Sequence, residues 1–266
     1  MNGALLTLEN LTVRFGGLAA VDSVSFRVEP QTVHGLIGPN GAGKTTAFNL
    51  ISGLGHQSEG HIRLDGETID DWPSWQRAQH GLARTFQNIR MFGEMTALEN
   101  VLAGMHVHVG GGLGATLLRL KSFRSAEAAA IAKGHEILGF LGLADASTRR
   151  AGNLPYGDQR RLEIGRALAS DPKLMLLDEP AAGMNPSETA GLIELLLRLK
   201  SRGVTLLLVE HDMHFIMNLC DRITVLNFGR KIAEGTPLEV RSDPKVIEAY
   251  LGTKVAERLE AGARVR

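Results

Sequence analysis

A glycine-rich string of nine residues, 38–46, matches the phosphate-binding pattern G-x-x-x-x-G-K-S/T at every fixed position. Its glycines allow the backbone to fold into a nest of N–H groups around a phosphate. In such a nest Lys44 reaches the β- and γ-phosphates, and the Thr45 hydroxyl ligates Mg²⁺. The string therefore predicts that the chain binds a nucleoside triphosphate. The predicted phosphate-binding residues are Gly38, Pro39, Asn40, Gly41, Ala42, Gly43, Lys44, Thr45 and Thr46.

The residues on either side of this string favour the same interpretation. Residues 32–37 form a short apolar run typical of a buried strand, and residues 46–51 are typical of a helix. The phosphates would then lie at a helix N-terminus, where unpaired amides and the helix dipole stabilise anions. A glycine-rich turn that matches by chance is the alternative, and the strand before it and the helix after it argue against that.

Two adjacent carboxylates, Asp178 and Glu179, follow the apolar run 174–177. In an open α/β sheet, ligands bind beyond the carboxyl ends of the strands. Asp178 can there hold Mg²⁺ directly or through water, and Glu179 can orient or deprotonate an attacking water. An apolar run that ends in Asp-Glu is a weak signal alone. Together with the phosphate-binding string it predicts hydrolysis of the triphosphate.

The apolar pattern predicts an α/β fold. Residues 5–28 alternate between apolar and polar side chains, as antiparallel strands with one covered face do. Nearly continuous aliphatic runs, typical of parallel strands buried on both faces, occur at 33–37, 174–177 and 204–209. The expected architecture is a P-loop NTPase core with a mostly parallel sheet and an N-terminal antiparallel β subdomain.

Helix start signals lie between these runs, at Thr96, Asn185 and Thr236, each followed three residues later by Glu. No strand-like run occurs in residues 90–156, which hold an alanine-rich helical stretch, 126–141. We therefore expect an inserted helical subdomain.

The expected organisation is one ATPase domain over residues 1–252. Its core takes residues 1–89 and 157–252, and the helical subdomain takes 90–156. A glycine-rich turn is predicted at 110–114, and residues 253–266 are predicted to be a frayed tail.

Composition excludes some classes of partner. Lys plus Arg and Asp plus Glu both number 29, so the formal net charge is zero and no nucleic-acid partner is expected. Cys220 is the single cysteine, so no intrachain disulfide is possible and a packed thiol in a reducing compartment is expected. We expect neither a signal segment nor a membrane span, so any contact with a membrane would be made through another protein.

Taken together, these motifs resemble the ATP-binding subunits of ABC transporters over almost the whole chain. That resemblance implies ATP and Mg²⁺ as cofactors. It implies that Gln87, in the string Arg84-Thr85-Phe86-Gln87, contacts Mg²⁺ and the lytic water. It also implies that His211 contacts the γ-phosphate and that Phe15 stacks on adenine. The expected catalytic residues are Lys44, Gln87, Glu179 and His211, and the expected metal ligands are Thr45, Gln87 and Asp178.

The family's Leu-Ser-Gly-Gly-Gln signature corresponds here to residues 154–158, and the resemblance implies that it binds nucleotide held by a second subunit in a sandwich dimer. The expected contact residues are Leu154, Tyr156, Gly157 and Asp158. Pro155 removes both a hydroxyl and an amide N–H from this segment. The Gly157 amide and a helix over residues 159–169 remain, so a working but modified site is expected. Asn185 stands where the family often has Asp, which removes a charge from the expected dimer interface.

Other strings resemble the ATPase subunits of bacterial branched-chain (hydrophobic) amino acid importers. They are residues 14–18, 84–88, 160–164, 178–186 and 243–252. The implied partners are a second ATPase subunit in a homo- or heterodimer, two integral membrane permease subunits and, indirectly, an extracytoplasmic binding protein. The implied location is the cytoplasmic face of the bacterial inner membrane. Met91 and Phe92 are expected to line the groove for a permease helix, which requires that they are not fully buried.

Three alternatives remain open at this stage. A related ABC system for urea or short amides, and one for lipopolysaccharide extraction, share the chemistry and differ in their partners. A soluble ABC ATPase acting on ribosomes or in DNA repair is disfavoured by the single cassette, the absence of sustained heptads and the zero net charge.

Overall fold

The computed structural model describes residues 3–105 and 121–251, which form two β-sheets with helices packed against them. The strands are β1 Leu6–Phe15, β2 Leu18–Val28, β3 Val33–Ile37, β4 Glu59–Leu64, β5 Glu67–Thr68, β6 Leu82–Arg84, β7 Leu174–Asp178, β8 Thr205–Val209, β9 Arg222–Asn227 and β10 Arg230–Gly235. The helices are α1 Lys44–Ile51, α2 Ser74–Gln79, α3 Ala97–Gly104, α4 Lys121–Leu141, α5 Tyr156–Leu168, α6 Pro186–Ser201, α7 Met213–Leu219, α8 Pro237–Ser242 and α9 Pro244–Leu251.

The smaller sheet is antiparallel and has the strand order β2-β1-β4-β5. Leu8 of β1 lies opposite both Phe26 of β2 and Ile62 of β4, and all three side chains are buried. The alternating pattern of residues 5–28 correctly predicted these antiparallel strands, because one face of the sheet is covered and the other is wet.

The larger sheet has the order β10-β9-β3-β8-β7-β6, and every pair except β10–β9 is parallel. The three aliphatic runs are its central strands β3, β8 and β7, as predicted. Successive side chains of β7 bury on opposite faces: Leu176 packs in the core shared with the antiparallel sheet, and Leu177 packs in the core beneath the helices. Burial on both faces explains why these strands are aliphatic throughout.

All three predicted helix starts are present as capping boxes. Thr96, Asn185 and Thr236 each accept a hydrogen bond from the backbone of the Glu three residues on, and that Glu accepts one in return. The boxes open α3, α6 and α8. Each satisfies backbone N–H groups that the first helical turn leaves unpaired.

Between β6 and β7, the described residues form α3, α4, α5 and two short 3₁₀ turns, with no strand. Helix α5 begins at Tyr156, three residues before the predicted start, because Pro155 sits at its N-cap in extended geometry (φ −54°, ψ 152°). The predicted helical stretch 126–141 lies within α4, which is described from Lys121 to Leu141. The division into core and helical subdomain stays a prediction. The predicted turn at 110–114 and the tail at 253–266 lie outside the described residues.

Cys220 is buried, as predicted, and burial raises the pKa of its thiol to about 12. None of the helices over residues 3–105 and 121–251 has the length and apolar character to cross a bilayer.

Candidate active site

The phosphate loop, residues 38–46, joins β3 to α1 and depends on glycine at two positions. A Cβ atom on Gly43 (φ 99°) would lie 2.4 Å from the carbonyl oxygen of Ala20. One on Gly38 (φ 152°) would lie 2.1 Å from the carbonyl oxygen of Leu226. Both distances are too short for a side chain. The surrounding strands therefore hold the loop in a shape that no other residue type fits.

Lys44 opens helix α1 and folds back over the loop. Its Nζ donates to the carbonyl oxygens of Gly38 (2.6 Å) and Pro39 (3.0 Å). Burial lowers the pKa of Lys44, and the nearby carboxylates of Glu179 and Asp178 oppose that shift. The two carboxylates thus help to keep the ammonium group charged beside the loop, where a phosphate can replace the carbonyl oxygens as its partner.

A pocket of about 370 Å³ opens over this loop. Besides residues 40–46, it is lined by Leu18, Ala19, Ala20, Glu179, His211, Phe228 and Gly229. The strand ends that carry Glu179 and His211 therefore face the phosphate loop across a single cavity. That is the arrangement the carboxyl ends of parallel strands provide.

Gln87, Glu179 and His211 form one hydrogen-bonded group, the polar cluster. Gln87 Nε2 donates to Glu179 Oε2 at 2.9 Å, and His211 Nε2 lies 2.8 Å from Glu179 Oε1. Because a carboxylate only accepts, the imidazole Nε2 carries the hydrogen. Glu179 has φ 47°, a left-handed backbone conformation that is rare for a residue with a side chain. The cluster draws one residue each from beyond β6, β7 and β8.

Asp178 has a partner that the sequence pattern did not suggest. Arg84 Nη2 lies 3.1 Å from Asp178 Oδ2, and the two side chains are 8% and 7% exposed. Arg84 also donates to Asn49 Oδ1 (2.8 Å) and Ser52 Oγ (2.6 Å) of the α1 segment. Burial lowers the pKa of Arg84, and Asp178 opposes that shift. The sequence showed only that a basic residue, Arg84, lies three positions before Gln87. It did not show that the Arg84 side chain pairs with Asp178.

Glu210 is a second residue that sequence reasoning missed. It is buried, and its carboxylate accepts from the backbone N–H of Ala181 (2.8 Å) and of His211 (3.2 Å). Burial raises the pKa of Glu210, and these two N–H groups oppose that shift. Glu210 thereby ties the segment after Glu179 to the one that carries His211. The feature of the sequence that could have indicated Glu210 is its position, as an acidic residue between an apolar strand and His211.

The residues expected to hold Mg²⁺ fit that metal chemically. Thr45 offers a hydroxyl, Asp178 a carboxylate and Gln87 an amide oxygen, and hard oxygen donors of these kinds are the ligands that Mg²⁺ prefers. Thr45 is exposed in the pocket.

Phe15, expected to stack on adenine, lies at the end of β1 with 65% of its surface exposed. Leu18, which begins β2 on the same hairpin, lines the pocket. Stacking by Phe15 stays a prediction.

The signature segment, residues 154–158, is not part of this pocket and packs on the loop after Glu179. Leu154 and Gly157 are buried, and a Cβ on Gly157 would lie 2.9 Å from Glu188 Oε1. Tyr156 is exposed and donates from its hydroxyl to the Ala182 carbonyl at 2.9 Å. The Asp158 carboxylate lies 4.0 Å from Arg161. Contact of Gly157 with nucleotide on a second subunit stays a prediction.

A glycine-built phosphate loop, a parallel sheet and acidic residues at the ends of its strands define a P-loop nucleoside triphosphatase.

Comparison with known proteins narrows this class to one family. Residues 21–182 match the family described as ABC transporter, and residues 230–256 match the one described as branched-chain amino acid ATP-binding cassette transporter. The high-affinity branched-chain amino acid transport ATP-binding protein BraF of Pseudomonas aeruginosa is 47% identical over 253 residues, covering 95% of this chain and 99% of BraF. LivG of Escherichia coli, which carries the same description, is 46% identical with the same coverage.

Similar solved structures belong to the same family. A nucleotide-free ATP-binding cassette from an ABC transporter superposes with a TM-score of 0.81 at 36% identity, covering 94% of this chain and all of the other. The ADP conformation of an ATP-binding cassette gives a TM-score of 0.81 at 35% identity, with the same coverage. The chain belongs to the ABC transporter family and is one of its ATP-binding cassette ATPases.

Proposed function

We propose that this chain powers an importer of branched-chain amino acids at the cytoplasmic face of a bacterial inner membrane. Its partners would be a second ATPase subunit, two permease subunits and, indirectly, an extracytoplasmic binding protein. The support is the 46–47% identity to BraF and LivG over 95% of the chain, together with the match of residues 230–256.

The proposed chemistry is centred on Glu179. Its carboxylate takes a proton from the attacking water, while Gln87 and His211 hold it in place from two sides. The phosphate loop and Lys44 bind the phosphates. Thr45, Asp178 and Gln87 would hold Mg²⁺, which neutralises phosphate charge when bound. The observation that carries this proposal is that Glu179 and His211 line one pocket with the phosphate loop, while Gln87 donates a hydrogen bond to Glu179.

A groove of about 490 Å³, lined in part by the residues of β6, is the proposed permease contact. Phe92 and Leu54 line it with 50% and 54% of their surfaces exposed. Arg166 holds its guanidinium 5.6 Å from the centre of the Phe92 ring. Met91 is half-buried against the core. Neither Met91 nor Phe92 is fully buried, so both meet the condition set by the sequence.

The catalytic proposal is tested with Glu179→Gln. The amide keeps the shape of the side chain and cannot take a proton, so kcat for ATP hydrolysis should fall about 100- to 10,000-fold. ATP affinity should stay within about threefold, since the phosphate loop is unchanged. Glu194→Gln, on the exposed face of α6, is the matched control. A Glu179→Gln variant that hydrolyses ATP at the normal rate would remove Glu179 from the mechanism.

The cargo is tested by uptake. Cells that lack this chain should lose import of labelled leucine, isoleucine and valine, and the wild-type gene should restore it while Glu179→Gln should not. Loss of urea or acetamide uptake with normal leucine uptake would assign a different cargo. Copurification with lipopolysaccharide-handling membrane proteins or with ribosomes would assign a different system.

A further inference from the structure

Helix α5 contains a fully buried ion pair that the proposed chemistry does not use. Arg160 and Glu163 have side-chain exposures of 0% and 1%, and Arg160 Nη1 lies 2.8 Å from Glu163 Oε2. Charged side chains are rarely buried to this degree, because losing their hydration is costly. A buried pair of this kind contributes little to stability compared with an apolar pair, so its geometry is the more informative property.

Both members of the pair also form hydrogen bonds with one short backbone segment, residues 86–90. Arg160 Nη1 donates to the Phe86 carbonyl at 2.9 Å, and Arg160 Nη2 donates to the Gln87 carbonyl at 2.8 Å. Glu163 Oε1 accepts from the backbone N–H of Arg90 at 3.2 Å. Three backbone groups of the segment that carries Gln87 are therefore fixed by one ion pair on a helix 70 residues further along the chain.

The guanidinium is suited to this arrangement by its shape. Its planar fork reaches two neighbouring carbonyl oxygens and a carboxylate at once, which the point charge of lysine does not do. The Gln87 carbonyl is held by Arg160 while the Gln87 side chain donates to Glu179. The position of Arg160 thus sets the direction from which Gln87 approaches the catalytic carboxylate.

Helix α5 also begins at the signature segment. Tyr156 is its first residue, and Arg160 lies one turn later with Nη2 3.4 Å from the Tyr156 hydroxyl. A shift of this helix must either carry the Gln87 backbone with it or break the hydrogen bonds of the pair. The start of α5 and the polar cluster are therefore mechanically connected through two side chains.

We propose that Arg160 and Glu163 are positioning residues that connect the signature helix to Gln87 and thereby set the rate of ATP hydrolysis. The pair holds residues 86–90 against α5, so that a contact made at the start of the helix changes the placement of Gln87 beside Glu179. This inference rests on the proposed role of Gln87 in catalysis.

The test uses purified full-length protein with Arg160→Met, Arg160→Lys and Glu163→Gln. Arg160→Met should lower kcat about 10- to 100-fold per nucleotide-binding site, with KM within about threefold, because the catalytic group is displaced while the phosphate loop is intact. Arg160→Lys keeps the charge and should not restore kcat. Glu163→Gln keeps an acceptor for the Arg90 N–H and should lower kcat by less than Arg160→Met does.

Arg150→Met is the matched control. Arg150 Nη1 lies 3.0 Å from Glu94 Oε2, a separation similar to that of the Arg160–Glu163 pair. The two side chains are 64% and 91% exposed, so this pair is on the surface. Its loss should leave kcat unchanged, as expected for a solvated surface pair.

A second measurement separates positioning from folding. In a Gln87→Ala background, Arg160→Met should cause little further loss of kcat, because the group it positions is gone. An equal further loss would overturn the proposal, and so would a variant whose melting temperature falls while kcat per bound nucleotide stays normal. If Arg160→Met does not fold, the same two comparisons are made with Glu163→Gln. Full activity of Gln87→Ala alone would instead remove the proposed role of Gln87.

Discussion

The phosphate loop differs in construction from the signature segment in this chain. These are the two segments that are expected to bind the nucleotide phosphates in this family. The phosphate loop is complete within the subunit and opens on a pocket shared with Glu179 and His211. In the signature segment, Pro155 replaces a hydrogen-bonding residue, and the side chain of Glu188 lies against Gly157. The phosphate loop is preformed within the subunit, whereas the signature segment lacks one hydrogen-bonding residue and packs against other segments of the chain.

The difference has a local cause. Backbone amides shape the phosphate loop, and glycines such as Gly43, at φ 99°, fix them in place. The start of α5 has no side-chain cap and is positioned by contacts with other segments, such as the Tyr156 hydroxyl with Ala182. Substitutions within the phosphate loop should therefore affect nucleotide binding directly. At the signature segment, substitutions should act through the contacts with neighbouring segments.

The largest effect is expected at the phosphate loop from Lys44→Ala. Two charge-assisted phosphate contacts would be lost, at about 1.5–3 kcal/mol each, so ATP affinity should fall at least about 100-fold. Equilibrium binding of a fluorescent ATP analogue measures this. Lys133→Ala, an exposed lysine on α4, should bind normally. Unchanged affinity in Lys44→Ala would mean that the loop does not hold the phosphates as argued.

The strand that carries the phosphate loop should make the fold acid-sensitive. Burial lowers the pKa of His34 on β3 from 6.5 to about 4, so the folded protein keeps the ring neutral where the unfolded chain protonates it. The free energy of unfolding should therefore fall as pH drops from 6.5 towards 4, by about 3 kcal/mol in total. Urea unfolding at several pH values should show this fall in wild type and not in His34→Gln. Parallel pH profiles for the two proteins would contradict it.

A moderate effect is expected at the signature segment from Gly157→Ala. The added methyl would meet Glu188 Oε1 at 2.9 Å, so the Glu188 side chain must move and weaken its hydrogen bond to the Asn185 N–H, which costs about 1 kcal/mol of stability. Gly139→Ala on α4 is the control, since its Cβ has no heavy atom within 4 Å. The control should stabilise the helix by up to about 1 kcal/mol. Equal melting temperatures for the two variants would show that Gly157 is not confined.

The smallest effect is expected from Pro155→Ser, which restores a hydroxyl and an amide N–H at the N-cap of α5. ATPase activity should stay within about tenfold of wild type, which corresponds to about 1.4 kcal/mol. An increase of several orders of magnitude would show that the natural signature segment is degenerate, which would widen the contrast with the phosphate loop.

Much of the fold was predictable, because its signals are local. Aliphatic runs gave β3, β7 and β8, and Thr96, Asn185 and Thr236 correctly marked three helix starts. The predicted start of α5 was wrong by three residues, because Pro155 occupies the N-cap and the helix therefore includes Tyr156, Gly157 and Asp158 of the signature segment.

The amino-acid sequence by itself determined the phosphate loop, the central strands β3, β7 and β8, and the two carboxylates that follow the run 174–177, since each depends on neighbours a few positions away. Only the tertiary structure decided that Arg84 pairs with Asp178, that Glu188 lies against Gly157, and that Arg160 and Glu163 hold the Gln87 segment. Those contacts join residues between 31 and 94 positions apart, and their geometry follows from how helices pack on the sheet. No local pattern encodes them, because a buried charge finds its partner in space rather than along the chain.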